Sequence, residues 1–132
     1  MNNEQLGIEM KEHTSTQKAL KFAGRITLLQ KYLCENKKEF IISKQIYRSG
    51  TSISANLSEA ECAISKKDFL AKMHIAYKEC SETQNWLKVL HNSGLLTEKQ
   101  YESMYKDCNE IIKILTTSIK TVKRNLENEK NK

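Results

Sequence analysis

From Ser15 onward the apolar residues recur at helical steps. Ala19, Phe22, Ile26, Leu29 and Leu33 follow one another at intervals of three and four, which return to one face because an α-helix turns every 3.6 residues. The polar run Glu35-Asn36-Lys37-Lys38 ends this stripe. A second stripe, Ile42, Ile46, Ile53, Leu57 and Ala60, predicts a helix over 39–62. Gly50 interrupts it, at about 1 kcal/mol relative to Ala in a helix interior, and serines and β-branched residues surround it, so tertiary packing must hold this segment. Ser65-x-x-Asp68 reads as a capped start, and Phe69, Met73, Ala76, Cys80, Thr83, Leu87 and Leu90 form the third stripe. His91-Asn92-Ser93-Gly94 is a helix stop, with Gly94 as the left-handed cap. Thr97-x-x-Gln100 is a capping box before the fourth stripe: Tyr101, Tyr105, Cys108, Ile112, Leu115, Ile119, Val122 and Leu126.

Four stripes joined by short polar connections predict an all-α fold, an antiparallel up-down-up-down four-helix bundle. The bundle is expected over 15–126, with a flexible N-terminal segment (1–14) and a flexible C-terminal tail (127–132). The chain has no proline and four glycines, too few for the many turns of a sheet protein. The 4-3 spacing of the last two stripes predicts knobs-into-holes packing with a left-handed supercoil.

At 132 residues the chain fits one domain. No apolar run approaches the ~20 residues of a spanning helix and no signal-peptide core is present, so the expected location is cytoplasmic, away from membranes. Cys34, Cys62, Cys80 and Cys108 are too widely spaced for a zinc site and read as small packed thiols. His13, His74 and His91 lie far apart, no Glu-x-x-His pair occurs, and Glu79 and Glu82 flank the core stripe instead of pointing into it. The phosphate-loop, dinucleotide and nucleophile-elbow motifs are absent. The expectation is a protein that is not an enzyme and that has no cofactor or metal.

The surface is more informative than the core. Between Ser49 and Ser65 there is no lysine or arginine, and the outward-turned Thr51, Ala55, Ser58 and Cys62 are all small. Two arrangements satisfy this: a close intrachain helix crossing, or a neighbouring subunit covering the second face. Ile75, Trp86 and Val89 on the third helix, and Leu28 and Tyr32 on the first, add apolar positions off the core stripes and favour a homo-oligomer. The formal net charge is +6 and the isoelectric point about 9.1. Basic residues group at Lys44 and Arg48, at Lys66 and Lys67, and at Lys120, Lys123 and Arg124. Each group alone is an ordinary solvated face; together they point to a polyanion contacted mainly through phosphates.

One stretch resembles a known family. Gln45-x-x-Arg48-Ser49, Thr51-Ser52-Ile53-x-Ala55-Asn56-x-x-Glu59-Ala60 and Ser65-Lys66-Lys67-Asp68-Phe69, followed by Ile75-Ala76, Glu79, Glu82 and Trp86-Leu87, resemble the bacterial four-helix-bundle proteins encoded in intervening sequences of 23S ribosomal RNA genes. The resemblance spans about residues 17–125. It implies a homopentamer, similar in fold to the accessory proteins of diversity-generating retroelements, which engage nucleic acid and a reverse transcriptase through a basic surface. It carries over no catalytic residue. Many relatives have Gly where this chain has Ala60, a local difference at the end of the second helix.

The expectation is therefore a non-enzymatic homo-oligomer, pentameric by the resemblance, that binds RNA or DNA through Lys44, Arg48, Lys66, Lys67, Lys120, Lys123 and Arg124. Its interface is expected at Thr51, Ala55, Ser58, Cys62, Ile75, Trp86 and Val89. The alternative is a scaffold that docks a protein partner through Trp86, Ile75 and the small-residue face.

Overall fold

The computed structural model describes residues 3–131. Four helices make it up: α1 (Asn3–Asn36), α2 (Ile42–Glu61), α3 (Lys66–Asn92) and α4 (Glu98–Lys130). Each packs on its two neighbours in the order α1, α2, α3, α4 and back to α1, with no backbone approach across a diagonal among the described residues. Ion pairs cross three of the four seams in antiparallel register. Lys18 and Arg25 meet Glu110 and Asp107, Arg48 and Lys72 meet Glu82 and Glu59, and Lys66 meets Glu129.

The ends follow local chemistry. Ser65 Oγ accepts the Asp68 N–H at 3.0 Å. Thr97 and Gln100 exchange side-chain and backbone bonds as a capping box. Gly94 takes φ +77° while the Leu95 N–H donates to the Leu90 carbonyl at 2.9 Å, a left-handed stop that suits a residue without Cβ. The start of α2 uses a device the sequence did not suggest. Glu39 turns its carboxylate onto the exposed N–H groups of Ile41, Ile42 and Ser43, at 2.7, 2.5 and 3.2 Å, doing the work of an N-cap side chain.

Three boundaries differ from the sequence reading, the first being the start of α2 at Ile42 instead of 39, because Glu39 is spent as its cap. Helix α1 begins at Asn3, twelve residues before Ser15, and α4 runs to Lys130, beyond Leu126. Neither extension has an apolar stripe, but both consist largely of good helix formers with no proline, and extending an existing helix is far easier than nucleating one. Ion pairs tie both extensions to neighbouring helices: Glu4 to Arg124 at 2.7 Å and Glu129 to Lys66.

The core holds Ala19, Phe22, Ile26, Leu33, Ile46, Ile53, Leu57, Met73, Ala76, Cys80, Leu87 and Leu90, as the first three stripes predict, whereas Ile42 and Phe69 of those stripes are only half-buried. The α4 seam is rotated from its predicted position. Met104, Cys108, Ile111, Leu115, Ile119 and Val122 are buried, whereas Tyr101, Tyr105 and Ile112 are only half-buried. The tyrosines lie at the edge of the α3–α4 seam. There Tyr101 stacks on His91 at 4.4 Å between centroids, and Lys88 Nζ lies 5.8 Å from the Tyr105 ring centre. An aromatic ring with a polar tip satisfies a half-wet edge as well as a core position. Periodicity alone does not separate the two.

Gly50 explains how α2 survives its own composition. A Cβ there would lie 2.7 and 2.9 Å from Cγ1 and Cγ2 of Ile26, so the glycine lets α2 press its backbone against the branched side chain of α1. Gly50→Ala should therefore destabilise the fold. Overpacking typically costs about 1–3 kcal/mol, offset by roughly 1 kcal/mol of gained helix propensity. A thermal melt followed by circular dichroism should show a lower midpoint; an unchanged or higher one would mean the α1–α2 crossing has slack.

Candidate nucleic-acid interface

The α2–α3 seam contains Arg48, one of the cations the sequence assigns to phosphate. Its guanidinium is already engaged. Nη2 donates to Glu82 Oε2 at 2.7 Å and Nη1 lies 3.5 Å from Glu79 Oε2. Trp86 Nε1 donates to the other oxygen of Glu82 at 3.3 Å. The bond from Arg48, helped by the one from Trp86, holds the Glu82 carboxyl below its ordinary value, and the same pair raises Arg48. Beneath this cluster the buried hydroxyls of Thr83 and Ser49 lie 2.8 Å apart, with Thr83 also bonded to the Glu79 carbonyl at 2.8 Å. One guanidinium between two carboxylates leaves the cluster negative, which is the wrong sign for a phosphate.

Two further cations of the sequence set are also paired within the chain: Lys66 with Glu129, and Arg124 with Glu4. Lys44, Lys67, Lys120 and Lys123 are exposed and form no ion pair among the described residues. The antiparallel packing brings Lys66, Lys67, Lys120, Lys123 and Arg124 to one end of the bundle. Lys44, near the start of α2, lies toward the other end, so the seven do not form one patch.

A larger basic surface emerges along α3 and α4. The α3 flank facing α2 is marked by Lys72, Glu79 and Glu82, and the α4 flank facing α1 by Asp107 and Glu110, each in an ion pair across its seam. The opposite flanks meet where Lys88 covers Tyr105. On this side α3 presents Lys67, His74, Ser81 and Lys88 at seven-residue intervals, with Lys78 and Asn85 beside them. Helix α4 presents Lys106, Lys113 and Lys120 at the same interval, with Asn109, Thr116 and Lys123 nearer α3. Seven residues advance a helix by about 10.5 Å. Lys67, Lys78, Lys88, Lys106, Lys113, Lys120 and Lys123 are all exposed, and none is in an ion pair among the described residues. Apart from Glu98 and Glu102 near the start of α4, the acids of these two helices are turned to other seams or lie in the last turns of α4.

Sequence reasoning found three of these seven lysines. The signal for Lys106, Lys113 and Lys120 was present as a heptad of lysines. A heptad row on a bundle helix is ordinarily just its solvated side, and only the positions of the acids distinguish this one.

The small face of α2 is open. Ala55, Ser58 and Cys62 are exposed and Thr51 is half-exposed, because among the described residues α2 packs on α1 and α3 alone. This removes the intrachain crossing as the reason for their size. The nearby hydroxyls fold back onto their own helix, Thr51 to the Tyr47 carbonyl at 2.7 Å and Ser52 to that of Arg48 at 2.6 Å, leaving a smooth uncharged ridge. Ile75 is exposed, while Trp86 and Val89 are half-buried. Of the cysteines, Cys80 and Cys108 are buried, and the Cys80 thiol is pushed far above its ordinary value by its hydrogen bond with Cys108 and by burial. The exposed Cys62 corrects the reading of all four as packed thiols. Among the described residues no three His, Cys, Asp or Glu side chains gather as metal ligands; the side chain of His13 lies outside them. No helix among these residues is long and apolar enough to cross a membrane.

The family model of the 23S rRNA-intervening sequence proteins matches residues 11–117. The chain belongs to this family. A crystal structure from Bacteroides thetaiotaomicron VPI-5482, of a protein of unknown function from the S23 ribosomal protein family, is similar at 49% identity and a TM-score of 0.82. The match covers 83% of this chain and 98% of that one. No curated protein matches. Many of the residues that carry the resemblance to the 23S rRNA-intervening sequence proteins converge on the α2–α3 seam. Arg48, Glu79, Glu82 and Trp86 form its ionic cluster, Ser49 lies beneath, and Glu59 pairs with Lys72 at 3.0 Å.

Because its folded-state pKa is depressed, Glu82 contributes stability that is complete above the ordinary carboxylate range. That contribution is lost as pH falls through the lowered folded value. The melting-temperature gap between the native chain and Arg48→Met should thus be widest at neutral pH and narrow below about pH 4, where carboxylates protonate. A gap that stays constant down to pH 3 would mean the cluster does not contribute through charge.

Proposed function

We propose that this protein is a non-enzymatic, homo-oligomeric nucleic-acid-binding bundle that holds RNA or DNA by its phosphates along the α3–α4 face. The observation that carries the reading is the row of seven exposed lysines without ion pairs, beside which Glu79, Glu82, Asp107 and Glu110 of the same helices pair across other seams. Lysine is a flexible point charge, suited to tracking a backbone rather than reading a base. The uncharged ridge of α2 lies away from this face and packs against another copy. In the pentamer that the family resemblance implies, the basic face would recur five times, and multivalent contact strengthens weak phosphate binding.

Lys44 and Arg48 become secondary in this reading. Arg48 is held by two carboxylates, and Lys44 stands apart from the row. The work of the sequence-derived set falls to Lys67, Lys120 and Lys123, joined by Lys78, Lys88, Lys106 and Lys113.

Fluorescence anisotropy with a single-stranded RNA at several salt concentrations tests the proposal. Affinity should fall steeply with salt, with a log–log slope approaching about −0.7 per phosphate neutralised. Lys106→Glu/Lys113→Glu/Lys120→Glu should weaken binding at least tenfold at low salt and flatten that slope by about 2, with an unchanged helical spectrum. Equal affinity and slope in the triple variant would sink the assignment.

A further inference from the structure

The row of lysines ends against a ladder of aromatic rings. Where α3 finishes and α4 begins, the His91 and Tyr101 rings lie parallel, 4.4 Å apart between centroids with 9° between their planes. Tyr105 follows at 5.4 Å and 40°. All three are half-buried, held by the seam yet reached by water. Lys88, the last lysine of the α3 row, places its ammonium 5.8 Å from the Tyr105 ring centre, and Lys106 follows Tyr105 directly in the chain. Aromatic faces and unpaired cations thus share one surface. Single strands are held by this combination, because every base has a π face to stack while cations track the backbone.

Lys88 is exposed, and a cation–π contact between exposed groups is weak. A base arriving over Tyr105 gains more by stacking than the ring loses with the ammonium. Lys88 is then free to turn to the phosphate beside that base. A duplex cannot make this contact, since its bases are stacked on one another and paired along their Watson–Crick edges.

The charge at this end of the row points the same way. Glu98 Oε2 lies 2.6 Å from His91 Nε2. Glu102, one turn before Tyr105, is exposed and in no ion pair among the described residues. Lys99, between these two acids in the chain, lines the α1–α4 groove instead. Carboxylates repel a phosphate but accept the N–H donors of an uncharged base. Glu102 and Tyr105 are i, i+3 neighbours on the helix surface, so a base on the ring can turn its edge to the carboxylate. Guanine fits best: two N–H donors side by side on its Watson–Crick edge match the two oxygens of a carboxylate. Uracil offers one N–H between two carbonyl oxygens.

We infer that the α3–α4 face takes a single strand, with one unpaired guanine stacked on Tyr105 in the place of Lys88 and its donor edge on Glu102. The flanking phosphates lie on Lys88, Lys106 and the row beyond. This inference rests on the nucleic-acid reading of the face and specifies its strandedness and a base subsite.

Fluorescence anisotropy on the full chain at low salt tests it with three ligands: an all-uridine RNA, the same RNA with one central guanosine, and that second RNA annealed to its complement. The guanosine RNA should bind tightest and the duplex weakest. Tyr105→Leu should weaken the guanosine RNA about tenfold with an unchanged helical spectrum and an unchanged salt slope, because no phosphate contact is lost. Tyr105→Phe keeps the ring and should bind as the native chain does. Glu102→Ala, at an exposed position, should erase the guanosine preference without weakening the all-uridine RNA. Equal affinity for all three ligands, or a Tyr105→Leu chain that binds like the native one, overturns the base subsite and leaves the lysine row standing. A guanosine preference that persists in Glu102→Ala overturns the assigned edge contact. A native chain that binds none of the three overturns the row, and this inference with it.

Discussion

The close crossing of α1 and α2 is the constraint on which the rest of the molecule depends. Helix α2 contains a glycine and a run of serines and β-branched residues that would not hold a helix in water. It is kept helical by contact: Gly50 against Ile26 on one side, the buried Ser49–Thr83 hydroxyl pair on another, and the Glu39 carboxylate at its start. A helix stabilised on its inner sides needs no long side chains outside. Its outer ridge can remain small and uncharged without loss of the fold, and that ridge is the surface through which the molecule is proposed to meet a copy of itself.

Charge is distributed by seam. Arg25 and Lys18 neutralise the acids of α4 that face α1, and Arg48 and Lys72 neutralise acids across the α2–α3 seam. These half-exposed pairs add little stability individually. Their larger effect is on the field outside. By drawing acids to the other seams, they leave the lysines of the α3–α4 side almost without opposing charge. Seven lysines along one side give a stronger local field than the net charge of +6 spread evenly over the whole surface would.

The bundle so built has distinct sides, one basic and one smooth. In the core the buried hydroxyls of Ser49 and Thr83 bond to each other, Thr83 also to the Glu79 carbonyl, and the Cys108 thiol to the Cys80 carbonyl. Membership of the 23S rRNA-intervening sequence family agrees with this architecture.

Much of the fold could be read from the chain. The stripes of α1, α2 and α3, the Ser65 and Thr97 caps and the Gly94 stop rest on interactions within a few residues, and spacing records such interactions faithfully. The family was also legible, because Arg48, Glu79, Glu82 and Trp86 stand in the chain at readable positions even though Arg48 meets its two carboxylates on another helix. Tertiary structure decided the rest. Whether Tyr105 or Met104 faces the core depends on how α4 is rotated against α3. Whether Arg48 is free depends on Glu82, 34 residues away, and whether Lys106, Lys113 and Lys120 form a binding face depends on where the acids of three other helices point. A local pattern fixes which residues share a helix face, but the charge left on that face is set by its neighbours in space.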